Sequence, residues 1–150
     1  MTGRIYNAAI WFGGTALLLA AMTDVASVLA RNLMTSIHGS IELIQVALVI
    51  AGSLGLVVAV ASRTYARVHL LTDRLSDSGK VLMERATTLA VAIFFLCLLA
   101  GSGWIALDMW HGQELSEVVG VPWRLLRAFA NACFLAAMLV LLRQMWKPRP

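Results

Sequence analysis

"LIQVALVIAGSLGLVVAVAS", residues 43–62, holds no charged side chain between Glu42 and Arg63. At about 1.5 Å per helical residue, a run of this length reaches across the ~30 Å hydrocarbon core of a bilayer. The surrounding chain has the same character: 150 residues, 60% hydrophobic and only 13% charged, with a mean hydropathy of +0.81. A water-soluble domain this small exposes much of its surface and needs a far more polar exterior. Lipid is the solvent that this composition fits.

Outward from that run, charges punctuate three more. The first goes from Ile5 to Thr23, is interrupted by Asp24, and continues through "VASVLA" (25–30) to Arg31. Its apolar part is long for a secretory signal, so it is expected to be retained as a span although Arg4 precedes it and "LLLAAMTD" (17–24) resembles a cleavage region. Another uncharged run lies between Arg85 and Asp108. The last, between Arg127 and Arg143, is too short alone. It becomes a full span when extended back through Trp123 to Val121, with Arg124 and Arg127 snorkelling to one interface. The reading is an all-α membrane protein, residues 1–150 forming one four-helix domain with spans near 5–30, 42–62, 85–108 and 121–145.

Orientation follows from the Lys/Arg bias. One side holds Arg4, Arg63, Arg67, Arg74, Lys80, Arg85, Arg143, Lys147 and Arg149, whereas the other holds only Arg31, Arg124 and Arg127. Both termini are therefore expected in the cytoplasm, with the chain crossing its membrane four times. Trp11 and Trp146 toward the inside, and Trp104, Trp110 and Trp123 toward the outside, suit an interfacial belt.

The longest polar stretch, "ARVHLLTDRLSDSGK" (66–80), falls between the second and third spans. Wound as a helix, it places Val68, Leu71, Thr72 and Leu75 on one face and His69, Asp73 and Asp77 on the other. That pattern predicts a short amphipathic helix in the headgroup region, ended by Gly79. His69 and Asp73 would supply two zinc ligands at most. The other histidines, His38 and His111, are expected across the membrane, so a metal site is not expected.

Within the spans, the polar and small residues are the candidates for contact. Gly13, Ala16, Ala20 and Asp24 step along one face of the first span, and an acid there should point into protein. Ala47, Ala51, Gly55 and Ala59, with Gly52 beside them, form a stronger stripe on the second, and Ala128, Ala132 and Ala136 one on the fourth. Such faces let helices approach closely in lipid. Glu42 opens the second span, where an acid suits the helix dipole or a salt bridge to a partner. Arg124 and Arg127 call for acids, and Glu114 and Glu117, another subunit or headgroup phosphates are the options.

Several functions are excluded by what is missing. No G-x-x-x-x-G-K-[ST] is present for nucleotide hydrolysis. No histidine lies mid-span to ligate haem. No acid lies at a span centre, and no nucleophile shares a face with a base. Basic residues do not interleave with aromatics, so nucleic acid is not a partner. Cys97 and Cys133 sit in apolar runs and behave as small hydrophobes. An enzyme is not expected, nor any cofactor. On residues alone, a self-sufficient homo-oligomeric transporter or channel stays open, as does a membrane anchor for a redox enzyme.

The order of motifs resembles one family. "GSIEL" (39–43) opens the second span and Arg63 closes it; "HLLTD" (69–73) follows, then a long third span, then "ELSEVVGVPW" (114–123) leading into the fourth. Over about residues 4–146 this resembles the small membrane subunit of the tripartite ATP-independent periplasmic (TRAP) transporters. It departs from the family where Leu70, Leu71 and Thr72 replace the usual centre of the His-Ile-x-Val-Asp segment. It also lacks a second proline in "RAFANA" (127–132) and has the cationic start at Arg124 and Arg127. The resemblance implies pairing with a large multi-span permease that carries substrate and sodium by an elevator-type motion. It implies a periplasmic binding protein that delivers an organic anion, a carboxylate or sialic acid. Asp24, Glu42, Arg124 and Arg127 on one side, and Arg63, His69 and Asp73 on the other, would then anchor subunits rather than bind substrate.

Overall fold

The computed structural model describes residues 3–33, 35, 37–63, 77–110, 112 and 115–146. Four helices make up nearly all of this: α1 (Gly3–Asn32), α2 (Ser40–Ala61), α3 (Asp77–Asp108) and α4 (Trp123–Trp146). Each is long and apolar enough to cross a membrane. No strand forms among the described residues. An isolated antiparallel bridge joins Leu115 to Pro122.

Local chemistry explains the helix ends. α1 closes with Arg31 in its last turn, where a cation suits the negative end of the dipole. The chain then turns through Leu33 and Thr35, whose amides donate to Ala30 O at 3.0 Å. Gly39 precedes α2 with φ 79°, a left-handed conformation that glycine adopts without strain. At the other end of α2, the Ser62 amide and hydroxyl both donate to Val58 O, at 2.9 and 2.8 Å. Arg63 follows in the left-handed region at φ 53°, its amide on Val60 O at 3.1 Å. Pro122 stands directly before α4, where a missing amide proton costs nothing.

The helices do not close into a bundle. Among the described residues α1 packs on α2, α2 on α4 and α4 on α3, and no other pair of helices touches. The order in space is α1–α2–α4–α3, two antiparallel hairpins joined through α2 and α4, which run in the same direction. The core is correspondingly thin. Val57 and Val60 of α2, Phe95 of α3, and Cys133, Ala137 and Leu141 of α4 form one cluster, with Phe95 edge-on to Phe134 at 6.4 Å. Leu17, Leu18, Leu96, Trp104 and Leu139 all stay exposed. In water such a surface would drive aggregation. In lipid it is the solvated surface, because acyl chains are as apolar as leucine.

The interfacial helix expected over 66–80 falls mostly outside the described residues. Residues 64–76, including His69 and Asp73, lie outside the described residues. Residues 77–80 belong to α3 itself, and Gly79 sits inside that helix instead of ending one. A single glycine costs a helix only about 1 kcal/mol against alanine, and the turns that follow it in α3 offset that. At 32 residues, α3 is about 48 Å long. It exceeds the hydrocarbon core, so it tilts or projects into the headgroups.

Candidate functional site

Two polar latches hold α2 and α4 side by side, one at each end. At the first, Glu42 in the opening turn of α2 reaches across to the loop before α4. Its carboxylate accepts the Ser116 hydroxyl at 2.6 Å, the Val119 amide at 2.8 Å, and the Val118 amide at 3.2 and 3.3 Å to its two oxygens. The loop is preformed to offer these donors. The Gly120 amide donates to Ser116 O at 3.2 Å, the Ser116 amide to Val121 O at 3.0 Å, and the Val121 amide to Ser116 Oγ at 3.2 Å. Gly120 takes φ 72° to allow the turn. Hydrogen bonds to an ionised acceptor are the stronger kind. Beneath the loop, Gly39 leaves room for it: a Cβ there would lie 2.9 Å from Val119 Cγ2.

At the far end, Gln144 of α4 donates through Nε2 to Val60 O at 2.9 Å. Arg63 Nη2 returns a bond to Gln144 O at 3.3 Å. Val60 O thus accepts two bonds at the end of α2, one from the Arg63 amide behind it and one from a side chain of the neighbouring helix.

The residues singled out from sequence are dispersed. Glu42 stands in the first turn of α2, where an acid suits the helix dipole as expected, and its carboxylate is also bonded to the loop of its own chain. Arg63 is part of the far latch. Asp24 is exposed beside the packed stripe, which runs Gly13, Ala16, Ala20 and then Ser27. Four-residue steps turn about 400°, so a stripe of them drifts by about 40° each time. The same drift splits Ala47, Ala51, Gly55 and Ala59. Ala51 O lies 3.7 Å from a Cβ built on Gly13, whereas Gly55 and Gly52 meet nothing within 4 Å. That stripe begins at the α1 contact and winds onto the open side of α2. On α4, Ala128 and Ala132 are exposed and the packed face is Leu126, Cys133, Ala137 and Leu141. Arg124 is exposed; Arg127 is half-buried and donates to Met109 Sδ at 3.3 Å. Glu114, one of the acids expected to answer these cations, is outside the described residues. No group of histidine, cysteine and acidic residues fit to hold a metal occurs among the described residues.

Sequence reasoning missed Ser116 and Gln144, the partners in both latches. Ser116 had a signal, being bracketed by the turn formers Gly120 and Pro122 and followed by a helix start. Gln144 had a weaker one, as an uncharged hydrogen-bonding residue just inside the end of an apolar span.

The sequence model of the DctQ component of tripartite ATP-independent periplasmic transporters matches residues 18–149. No curated protein and no solved structure matches the chain.

Proposed function

The chain belongs to the DctQ family, the small membrane component of the tripartite ATP-independent periplasmic transporters, and from that premise we propose that it acts as the stationary brace of such a transporter. The family is one of transporter parts rather than enzymes, working beside a large permease and a periplasmic binding protein. The observation that carries the bracing role is the open row of helices. A single layer encloses no centre through which a solute could pass. What it offers is two broad apolar sides and rigid latches at both ends of its middle pair.

In this reading the large subunit moves sodium and an organic anion, a carboxylate or sialic acid, by an elevator-type motion. The row widens the fixed scaffold against which that motion works. Both termini are cytoplasmic, and the Glu42 latch faces the periplasm. Asp24, Arg124 and the Gly52/Gly55 side of α2 are the contacts offered to the large subunit, because they are exposed on this chain and costly or unproductive against lipid tails. His69 and Asp73 are assigned to the cytoplasmic contact.

Copurification in mild detergent, with mass analysis, tests this. The chain should bring down a larger polytopic partner, and deleting the chain should abolish uptake while that partner is still made. Transport by this chain alone in liposomes would instead establish the self-sufficient homo-oligomer.

A further inference from the structure

The row of helices carries two recesses on one side. Near the Arg63 end, a cavity of about 470 Å³ is lined by Gly3 and Tyr6 of α1, Arg63 after α2, and Val140, Arg143 and Gln144 of α4. A second, of about 530 Å³, is almost wholly apolar; it starts at Ile5, Ala9 and Phe12 of α1, passes Ile50 and Leu54 of α2, and on α4 is walled by Leu125 and Phe129, toward the opposite end of that helix. Helical spacing places them on a common side. On α2, Ile50, Leu54 and Ala61 are i, i+4 and i+11, one stripe; on α4, Leu125, Phe129, Val140 and Arg143 are i, i+4, i+15 and i+18, another. The apolar groove begins at Ile5, within a turn of Tyr6.

We propose that the two recesses, neighbours along α1, together bind one anionic phospholipid, its phosphodiester headgroup between Arg143, Arg63 and Tyr6 and its acyl chains along the apolar groove. Polar and apolar chemistry follow one another along a single path, as they do in a lipid. Two arginines, one just after α2 and one on α4, line the cavity at a helix-end depth where the headgroup layer lies, and no carboxylate lines it among the described residues. Guanidinium suits phosphate oxygens by geometry as well as charge, and Tyr6 supplies a phenol O–H. Arg63 is held in place for this by its bond to Gln144 O and by its left-handed backbone. From Ile5, beside this polar end, an almost wholly apolar trough leads away toward the start of α4. A basic pocket between spans is the form that lipid headgroup sites take. The inference rests on the membrane-spanning reading of the four helices and not on which leaflet holds the Arg63 end.

The test uses the chain purified with its large subunit. The complex is washed in detergent and reconstituted with phosphatidylglycerol or phosphatidylcholine, and retained lipid is counted by native mass spectrometry. One phosphatidylglycerol per chain should survive washing, and phosphatidylcholine should survive less. Arg143→Gln should weaken retention roughly fivefold. Arg4→Gln, an exposed cation at the same end, should leave retention unchanged, and Ala9→Trp should block it by filling the groove. Equal retention of both lipids, equal loss in Arg4→Gln, or displacement by millimolar inorganic phosphate would overturn the proposal. So would lipid held by the isolated chain but excluded from the complex, since protein then covers the recess. Because the large subunit is weighed in the same spectra, loss of lipid with the subunit retained sinks this inference alone.

Discussion

Gly39→Ala should destabilise the chain by about 2–3 kcal/mol, more than any exposed substitution in the same loop. Two costs combine. An L-residue at φ 79° sits in the left-handed region at roughly 1–2 kcal/mol. The added methyl would also lie 2.9 Å from Val119 Cγ2 and 3.0 Å from Val118 Cγ1. Overpacking costs about 1–3 kcal/mol, and these valines are exposed and able to yield, so the low end, about 1 kcal/mol, applies. Gly120→Ala separates the two. Its φ is 72°, yet a Cβ there meets nothing within 4 Å, so only the backbone cost, roughly 1–2 kcal/mol, remains. Gly39→Asn relieves the backbone cost, because asparagine tolerates this region, while keeping the crowded Cβ. Unfolding in mild detergent by titration with a denaturing detergent, followed by tryptophan fluorescence, reads all three. Equal losses for Gly39→Ala and Gly120→Ala would show that the loop does not rest on Gly39, and the latch built on that contact would have to be redrawn.

Glu42→Gln and Ser116→Ala should each speed hydrogen exchange at the Val118 and Val119 amides without changing exchange in α1; unaltered protection would remove the carboxylate from the loop. Leu141→Ala should cost about 2–5 kcal/mol through the cavity it leaves, since Leu141 is fully buried. Leu139→Ala, which faces lipid, should cost little; the same denaturation assay compares them, and similar losses would refute the assigned core. Gly13→Leu should destabilise the isolated chain by about 1–3 kcal/mol, as a Cβ there already touches Leu54 Cβ at 3.4 Å. Gly55→Leu should leave the isolated chain unchanged and lower the yield of complex with the large subunit, measured by size-exclusion chromatography.

The four helices are legible because charges and turn residues stop apolar runs at membrane-length intervals, a signal that needs no knowledge of packing. The spatial order is not. In lipid all faces of a span are apolar, so the periodicity that marks a buried face in water is absent, and nothing in the pattern says that α1 never meets α4. The small-residue stripes mislead for a related reason: a series at strict four-residue spacing looks like a face but winds around the helix, carrying Gly55 away from Ala51. Asp24 falls off the packed stripe by the same rotation. Glu42 stands out in the sequence as a polar residue with a task. Its partner lies in a loop far along the chain, and only the folded row brings Ser116 over the start of α2. Gly79, expected to end a helix, lies instead in the first turn of α3, because glycine is a weak stop and the long apolar run after it carries the helix.

The row of two hairpins also says how the protein would come apart. Within each pair the helices are tied by a connecting loop, whereas the pairs meet through side chains alone, Val57, Val60, Phe95, Cys133, Ala137 and Leu141, with a hydrogen-bonded clasp at either rim. Because Phe95 of α3 shares that cluster, damage there would loosen α3 as well as α2 from α4 while every helix stayed wound. During synthesis, the leading couple would be inserted and settled before the trailing one arrived to be joined to it.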